Sequence, residues 1–529
     1  MKLFRRSLAL LLVLCFVVTV FVGCGKKSEA GTEADGGESG GVANGDAQTT
    51  ETQKETNEYG EPSFTSALPV DELDFEGESL TILVRDSKIN SREWYKESPE
   101  DELDEAVAMR NAAVQESLNI KADYEMVPAT SYAEFSVTFN NMIISDIQGQ
   151  LHYYDIAANY AYCGAYANVR DCAANLRDTE TFPYFDFSLP CWNQAIVNNT
   201  TINDRLHYVS GDINLSLFDN AMVMWYNKTL YDKKKEDVDP ANMQEYALAG
   251  MWTYDELYMW ASRLYEDSNG EQGKQANDIY GFANAKYSVA CQDAIPYAWD
   301  LEFLIENPDG THEFNIIGND KAENAFTMFR NLYEANGNCL EPSVGNFTAG
   351  CYVFWSSTIY PGETANMMIR EMEDKYGLLP IPKHDKEQAQ YGTTSGDSFT
   401  LMTVLDHKES EIKTKGEAVS AYLQLSTEES YTSVRGYYFN RIIKPKYFGT
   451  DDSEGTVSNS IALFDIIVAN IEFEYWTIYS AQLGDVSWLW RDSFRDDKDT
   501  LQGAFTEKQA QYEQAIIDTD AWLGLRSVD

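Results

Sequence analysis

Residues 79–84 read SLTILV, and residues 98–101, a short way on, read SPED. The first run is short, apolar and rich in residues that fit a pleated surface, and it follows Gly77, so it reads as a strand. In the second, Ser98 is an N-cap, Pro99 takes the first helical position, and Glu100 and Asp101 supply an acidic first turn. Leu103, Val107, Arg110, Val114 and Leu118 then recur at helical spacing, and Asn119 is the stop. A strand handing over to an amphipathic helix is the unit from which α/β lobes are built. The alternation continues along the chain. Tyr153 to Ala158 (YYDIAA) and Leu206 to Val209 read as strands. Thr253-Tyr254-Asp255-Glu256 is a capping box continued by Leu257, Trp260, Ala261 and Leu264. Asn319-Asp320 opens a helix through Phe326, Phe329 and Leu332 that closes at Asn336-Gly337, and Thr506 opens a last one to Ile517. The expectation is α/β lobes with largely parallel sheets, which bind ligands beyond the carboxyl ends of their strands. No internal repeat is visible.

On the N-terminal side of this body, Lys2, Arg5 and Arg6 precede an apolar run from Leu8 to Val22, interrupted by Cys15 and Thr19. That run is short for a membrane span, which needs about 20 residues, and it ends in small residues, so it reads as a cleaved export signal. Its ending, Phe21-Val22-Gly23-Cys24, resembles the lipobox of bacterial lipoproteins, in which the Cys is lipidated and becomes the first mature residue. Phe21 departs from that pattern, because an aliphatic is usual there. From Gly25 to about Glu61 the chain is Gly, Ser, Thr, Glu, Asp, Ala and Gln with almost no large apolar side chain. Such a segment buries too little surface to offset its ordering entropy and reads as a flexible tether.

Composition narrows the function. The 529 residues carry 85 Asp+Glu against 40 Lys+Arg, a formal charge of -45, and loss of the signal would remove three of the cations. Nucleic-acid binding needs a cationic footprint, and adhesion to anionic lipid is disfavoured for the same reason. The acidity is that of a solvated surface. The body is too long for one core and natural for two lobes, and it holds no second apolar stretch of spanning length. Cys163, Cys172, Cys191, Cys291, Cys339 and Cys351 show no C-x-x-C spacing, and His152, His207, His312, His384 and His407 form no ligand grouping, so no metal site is expected. Export permits disulfides, of which Cys163–Cys172 or Cys339–Cys351 would close short loops; buried free thiols are the equal alternative. No nucleophile elbow or phosphate-binding loop occurs, and no cofactor is expected. Asn307-Pro308-Asp309-Gly310 reads as a hairpin turn rather than a calcium loop.

Several segments together resemble one family. Asp104 to Ile120 resembles its first helix, running into a short strand from Lys121 to Val127, and Tyr154-Asp155-Ile156 resembles the strand that opens on its cleft. Trp192-Asn193-Gln194 and Leu206 to Asp212 lead toward a first crossing between lobes, which Met224-Trp225-Tyr226-Asn227-Lys228 matches. Trp252-Thr253 follows it, and Leu379-Pro380-Ile381-Pro382-Lys383 precedes a return crossing near Gly396 to Leu401. In order and spacing these resemble the extracellular solute-binding proteins of ABC importers, in the group that includes sugar and oligosaccharide receptors. The resemblance implies a two-lobed periplasmic-binding-protein-like fold (type II). It implies a signal over 1–23, a lipidated tether over 24–76, a first lobe from 77–222 and 396–460, and a second lobe from 223–395 and 461–529.

It also implies a non-enzymatic receptor on the outer face of the cell membrane, anchored by lipid at Cys24. Such a receptor closes on a solute, expected to be a sugar, and passes it to the permease subunits of an ABC transporter. Sugars present hydroxyl rims and apolar faces, so aromatic rings and Asp or Asn side chains are the candidates. They are Asp86 after the first strand, Asn159 and Tyr160 after the Asp155 strand, Asp212 before the first crossing and Trp225 within it. Trp299, Trp355 and Asp397 complete the set. A surface glycan hydrolase using two carboxylates, or a sensor or adhesin on the same fold, are the alternatives.

Overall fold

The computed structural model describes residue 66 and residues 68–526, apart from 88–89, 130, 132, 169–171, 287–289, 408–414 and 449–455. The expected export signal, Cys24 and most of the expected tether lie outside the described residues.

The first three strands build one open sheet. β1 (Glu78–Asp86) lies between β2 (Ile120–Pro128) and β3 (Ile156–Tyr160) and is parallel to both. The chain then leaves to make eight strands elsewhere: β4 (Met222–Asn227), β5 (Tyr265–Glu266), β6 (Ile279–Ala283), β7 (Leu304–Glu306), β8 (His312–Phe314), β9 (Asn338–Cys339), β10 (Tyr352–Thr358) and β11 (Tyr376–Leu379). It returns as β12 (Thr400–Val404), antiparallel to β3, which completes the order β12-β3-β1-β2. The second sheet runs β11-β4-β10-β6-β5, with β9 on β6. Two of its pairings are parallel, β10 with β6 and β6 with β9; the other three are antiparallel, so the expectation of largely parallel sheets holds for the first lobe only. The reason is connectivity. Strand β4 enters from one crossing between lobes and β11 leaves toward the return crossing, so these neighbours run in opposite directions. β7 and β8 form a separate hairpin whose turn is the anticipated Asn307–Gly310 segment, with Gly310 at φ +86.

Both sheets are covered on their faces, which is why β4 (MVMWYN) and β12 (TLMTV) are buried at every position rather than at alternate ones. In the first lobe the helix Glu102–Leu118 packs against the helix Gly416–Glu429. The anticipated face of that first helix is buried, and Asn119 closes it in the left-handed region at φ 49. Its start differs from expectation. Asp101 rather than Ser98 is the cap, its carboxylate accepting from the backbone N–H groups of Leu103 and Asp104. A carboxylate there satisfies two otherwise orphaned donors and complements the helix dipole. Packing onto this lobe also begins before residue 77: Leu68 is buried, and Val70, Leu73 and Phe75 lie against the same core.

The second lobe is organised on aromatic side chains. Phe354 of β10 has Trp252 at 5.1 Å and Trp260 at 5.7 Å between ring centroids. The helix Tyr254–Arg263 lies so close to β6 that a Cβ at Gly281 would sit 2.3 Å from the Trp260 carbonyl oxygen. Thr253 precedes this helix as expected but makes no side-chain cap bond; its backbone bridges to Lys383. The last helix is longer than anticipated, Leu501–Trp522, because Thr500 is its cap, while Thr506 sits inside and returns its hydroxyl to the Gln502 carbonyl. Leu206–Val209 forms no strand; Val209 makes an isolated bridge to Met402. Cys163, Cys172, Cys191, Cys339 and Cys351 are buried free thiols, which decides between the two alternatives for these five residues.

Two segments pass between the lobes side by side, and a third stretch, residues 470–472, runs beside them. The Met222 N–H donates to the Thr394 carbonyl at 3.0 Å, and the Thr393 hydroxyl donates to the Met222 carbonyl at 2.7 Å. Ser395 donates from its hydroxyl to the Leu217 carbonyl. On the other side of this pair, the Thr393 N–H donates to Asn470 O and the Glu472 N–H donates to Thr393 O, at 3.2 and 2.8 Å.

Candidate functional site

The ends of β1, β3 and β12 bring polar side chains to the junction of the two lobes. β3 ends at Tyr160 and runs directly into the helix Ala161–Asn168, whose first N–H groups are held by the segment before β12: Ala161 N–H donates to Phe399 O and Tyr162 N–H to Asp397 O. Asp397 is therefore fixed by backbone contact beside β3. Its carboxylate accepts from the Tyr160 hydroxyl at 3.3 Å. Arg85, the penultimate residue of β1, lays its guanidinium 4.4 Å from the centroid of the Tyr160 ring and donates to the Ser398 carbonyl at 2.9 Å. Phe135 stacks on the same tyrosine at 4.2 Å.

The second lobe meets this group with one short stretch of chain, residues 485–491. The Trp488 indole N–H donates to the other Asp397 oxygen at 3.0 Å, and its ring stacks on Tyr162 at 4.4 Å and 12°. The Tyr162 hydroxyl donates to Asp485 at 2.5 Å. Arg491 lies 4.4 Å over the Trp488 ring, 3.9 Å from Asp397, and 2.7 Å from the carboxylate of Asp293. Asp293 belongs to the helix Ala290–Ala298, and Trp490 is packed among Phe326 and Phe329, so both fix this stretch to the second lobe.

Burial sets the electrostatics. Arg85 is brought down to about 10, chiefly because its charged form is desolvated. Burial raises Tyr160 and Cys163 far above their ordinary values, and the Asp397 carboxylate adds to both. Asp293 is raised well above the carboxylate range by burial, against the opposing pull of Arg491. A second buried acid, Glu93, lies close to the first crossing. It accepts from the Ser216 N–H at 2.7 Å and the Ser216 hydroxyl at 3.1 Å, and desolvation pushes it up to about 7.

Of the eight residues expected from sequence, Tyr160 and Asp397 come together here. Asp86 is exposed at the end of β1, next to Arg85. The others have interior partners. Asn159 is buried and donates to Asn140 at 2.9 Å, as the alternation of a strand requires for the neighbour of Tyr160. Asp212 is buried and paired with Arg435 at 3.0 Å. Trp225 and Trp355 are register partners across β4 and β10; Trp225 is fully buried with its N–H on the Thr358 carbonyl at 3.0 Å, and Trp355 lies 5.3 Å from Phe347. Trp299 is buried against Tyr254 and Phe329, its N–H on the Pro382 carbonyl at 3.0 Å. Trp225 and Trp299 are core, because each N–H has found a backbone acceptor inside one lobe, and Trp355 is buried against Phe347. The residues that sequence reasoning passed over are Arg85, Tyr162, Asp293, Asp485, Trp488 and Arg491. The signal was present in residues 485–491, DVSWLWR, where two tryptophans and two charges crowd into one turn. Among the described residues no group of His, Cys, Asp and Glu could hold a metal ion.

No protein-family model matches the chain, and no curated protein matches it. Its fold is found among solved structures. The sugar-binding protein MalE from Xanthomonas citri aligns over 85% of this chain and 100% of its own, with a TM-score of 0.53 at 11% identity. The GacH receptor of Streptomyces glaucescens GLA.O, solved unliganded and with acarbose, aligns over 84% of this chain and 99% of its own, with a TM-score of 0.50 at 12% identity. At such identity the likeness is one of fold. The chain is a two-lobed binding-protein-like α/β structure.

Proposed function

We propose that the chain is an exported solute receptor that captures a carbohydrate between its lobes and delivers it to the permease subunits of an ABC importer. The observation that carries this reading is the joining of two open-sheet lobes by two adjacent crossing segments with a third stretch beside them, an arrangement able to close on a ligand as a hinge. The fold likeness to a sugar-binding protein and to a receptor solved with acarbose supports the choice of a carbohydrate. So do the residues at the junction: Asp86, Tyr160 and Asp397 are the expected candidates that remain, joined now by Arg85, Asp293 and Arg491. Carboxylates and guanidinium groups suit sugar hydroxyls as acceptors and donors. Cys24 is the proposed lipid anchor, holding the receptor to the outer face of the membrane through the tether that follows.

The test is a melting-temperature screen against a library of mono- and oligosaccharides, with chromatography of each mixture afterwards. A saturable rise in Tm with the sugar recovered intact is the expected result. Conversion of any sugar would overturn the receptor reading in favour of a hydrolase. For the anchor, Cys24→Ser should release the protein from the membrane fraction into the medium; retention would refute it.

A further inference from the structure

The contact between the lobes at Trp488 leads beyond capture to its regulation. From the first lobe come Tyr160, Tyr162 and Asp397, held by β3, its following helix and the segment before β12. From the second come Asp485, Trp488 and Arg491, held by Asp293 and by the packing of Trp490. The two sets meet through an indole–carboxylate bond at 3.0 Å, a phenol–carboxylate bond at 2.5 Å, a ring stack at 4.4 Å and an arginine 3.9 Å from the shared Asp397, beside the packing of residues 475–479 on the first lobe, where Tyr479 lies 5.9 Å from Tyr208. Asp397 is the centre, because it receives donors from both lobes at once.

We infer that this patch is a latch that holds the lobes together in the absence of solute. The physical argument is one of competition. A receptor whose lobes touch only through a ligand rests open, since nothing else offsets the freedom gained on opening. Here the junction carries a stacked aromatic pair and two charge-assisted hydrogen bonds, which are among the stronger polar contacts available at low exposure. On opening, Trp488 would lose both its stacking partner and its acceptor. The ligand-free chain therefore rests closed, and solute entry waits on the latch. This rests on the proposed capture between lobes, but its test needs no solute, so the two stand or fall separately.

The experiment is small-angle X-ray scattering of the ligand-free full chain, wild type against Trp488→Ala, with far-UV circular dichroism to show that both are folded. The N-terminal residues are common to both samples, so the difference reports on the lobes. The expected result is a larger radius of gyration and maximum dimension for Trp488→Ala. Trp488→Phe, which keeps a ring on Tyr162 but lacks the N–H for Asp397, should lie between the two. Identical scattering from wild type and Trp488→Ala would overturn the latch, whether both are open or both closed. Where Trp488→Ala fails to fold, the paired change Tyr162→Phe and Asp397→Ala, which removes the two bonds and keeps the rings, gives the same reading.

Discussion

Glu93 offers the sharpest perturbation of the region that joins the lobes. It is fully buried, and both carboxylate oxygens are directed to Ser216, at the start of the short helix Ser216–Asp219 that leads into the first crossing. Around it, Asn90 donates to the Thr400 hydroxyl at 3.0 Å, and the Thr400 N–H donates to the Ser216 hydroxyl at 3.1 Å, so β1's following loop, the crossing and β12 meet at one acid. Desolvation raises Glu93 from its ordinary 4.5 to about 7, with the Ser216 donors opposing. The sign follows. Below pH 4.5 the group is protonated in both states and costs nothing. Between 4.5 and about 7 only the folded chain holds the proton, so the unfolded state binds fewer protons and stability falls as pH rises. Above about 7 the loss is complete.

At about 1.4 kcal/mol per pH unit, the shift from 4.5 to about 7 amounts to about 3 kcal/mol of stability present in acid and absent at pH 8. Glu93→Gln removes the titration and keeps an acceptor for the Ser216 N–H. Equilibrium urea unfolding of both proteins at several pH values from 4 to 8 reads the difference directly. The two should match near pH 4, and the variant should gain steadily to an advantage approaching 3 kcal/mol at pH 8. A difference that does not change with pH would refute the reasoning, since it would mean that Ser216 keeps the carboxylate ionised throughout.

Three further outcomes are expected. The five described cysteines should resist a thiol reagent in the native protein and react without added reductant once it is unfolded, as thiol titration would show; reaction only after reduction would contradict free thiols. Asp101→Ala should cost about 1 kcal/mol by leaving the Leu103 and Asp104 N–H groups uncapped, with Asp101→Asn recovering much of it in urea unfolding. Trp225→Ala should cost about 3–5 kcal/mol as a core cavity. It should leave the Tm rise with a bound sugar in place, because its N–H is spent on Thr358 rather than on the junction.

The elements of this fold were legible where local chemistry acts alone. Strand β1 and the helix after it follow from hydrophobic spacing, and Asn119 and Asn319 do their capping as read. Legibility failed where a choice depended on distant chain. Ser98 and Asp101 are both competent caps, and only the ion pairs of Arg92 with Asp101 and Asp104, at 2.6 and 2.9 Å, fix the start at the latter. Trp225 and Trp299 have the chemistry of sugar platforms, but what decides is whether an indole N–H finds a backbone carbonyl within its own lobe, which spacing does not encode. The site suffered most, because Asp397 and Trp488 stand 91 residues apart and meet only after the chain has crossed between lobes.

The same crossing explains why Asp397 can serve both hinge and junction. Gly396 precedes it at φ +62, a left-handed conformation that any other L-residue adopts with strain. Ser395 and Thr394, just before, are bonded to Leu217 and Met222 of the neighbouring crossing. A rotation about these segments is therefore transmitted through a single flexible residue to the carboxylate that Trp488 reads. Asp219, at the foot of the same crossing, is also pushed by burial up to about 7, with Tyr438 donating to it. The first crossing is thus framed by two buried acids, Glu93 and Asp219, each disfavoured once ionised. Raising the pH therefore loosens the framework on which the lobes turn, and the buried Asp293 that holds Arg491 carries the same sensitivity to the latch side.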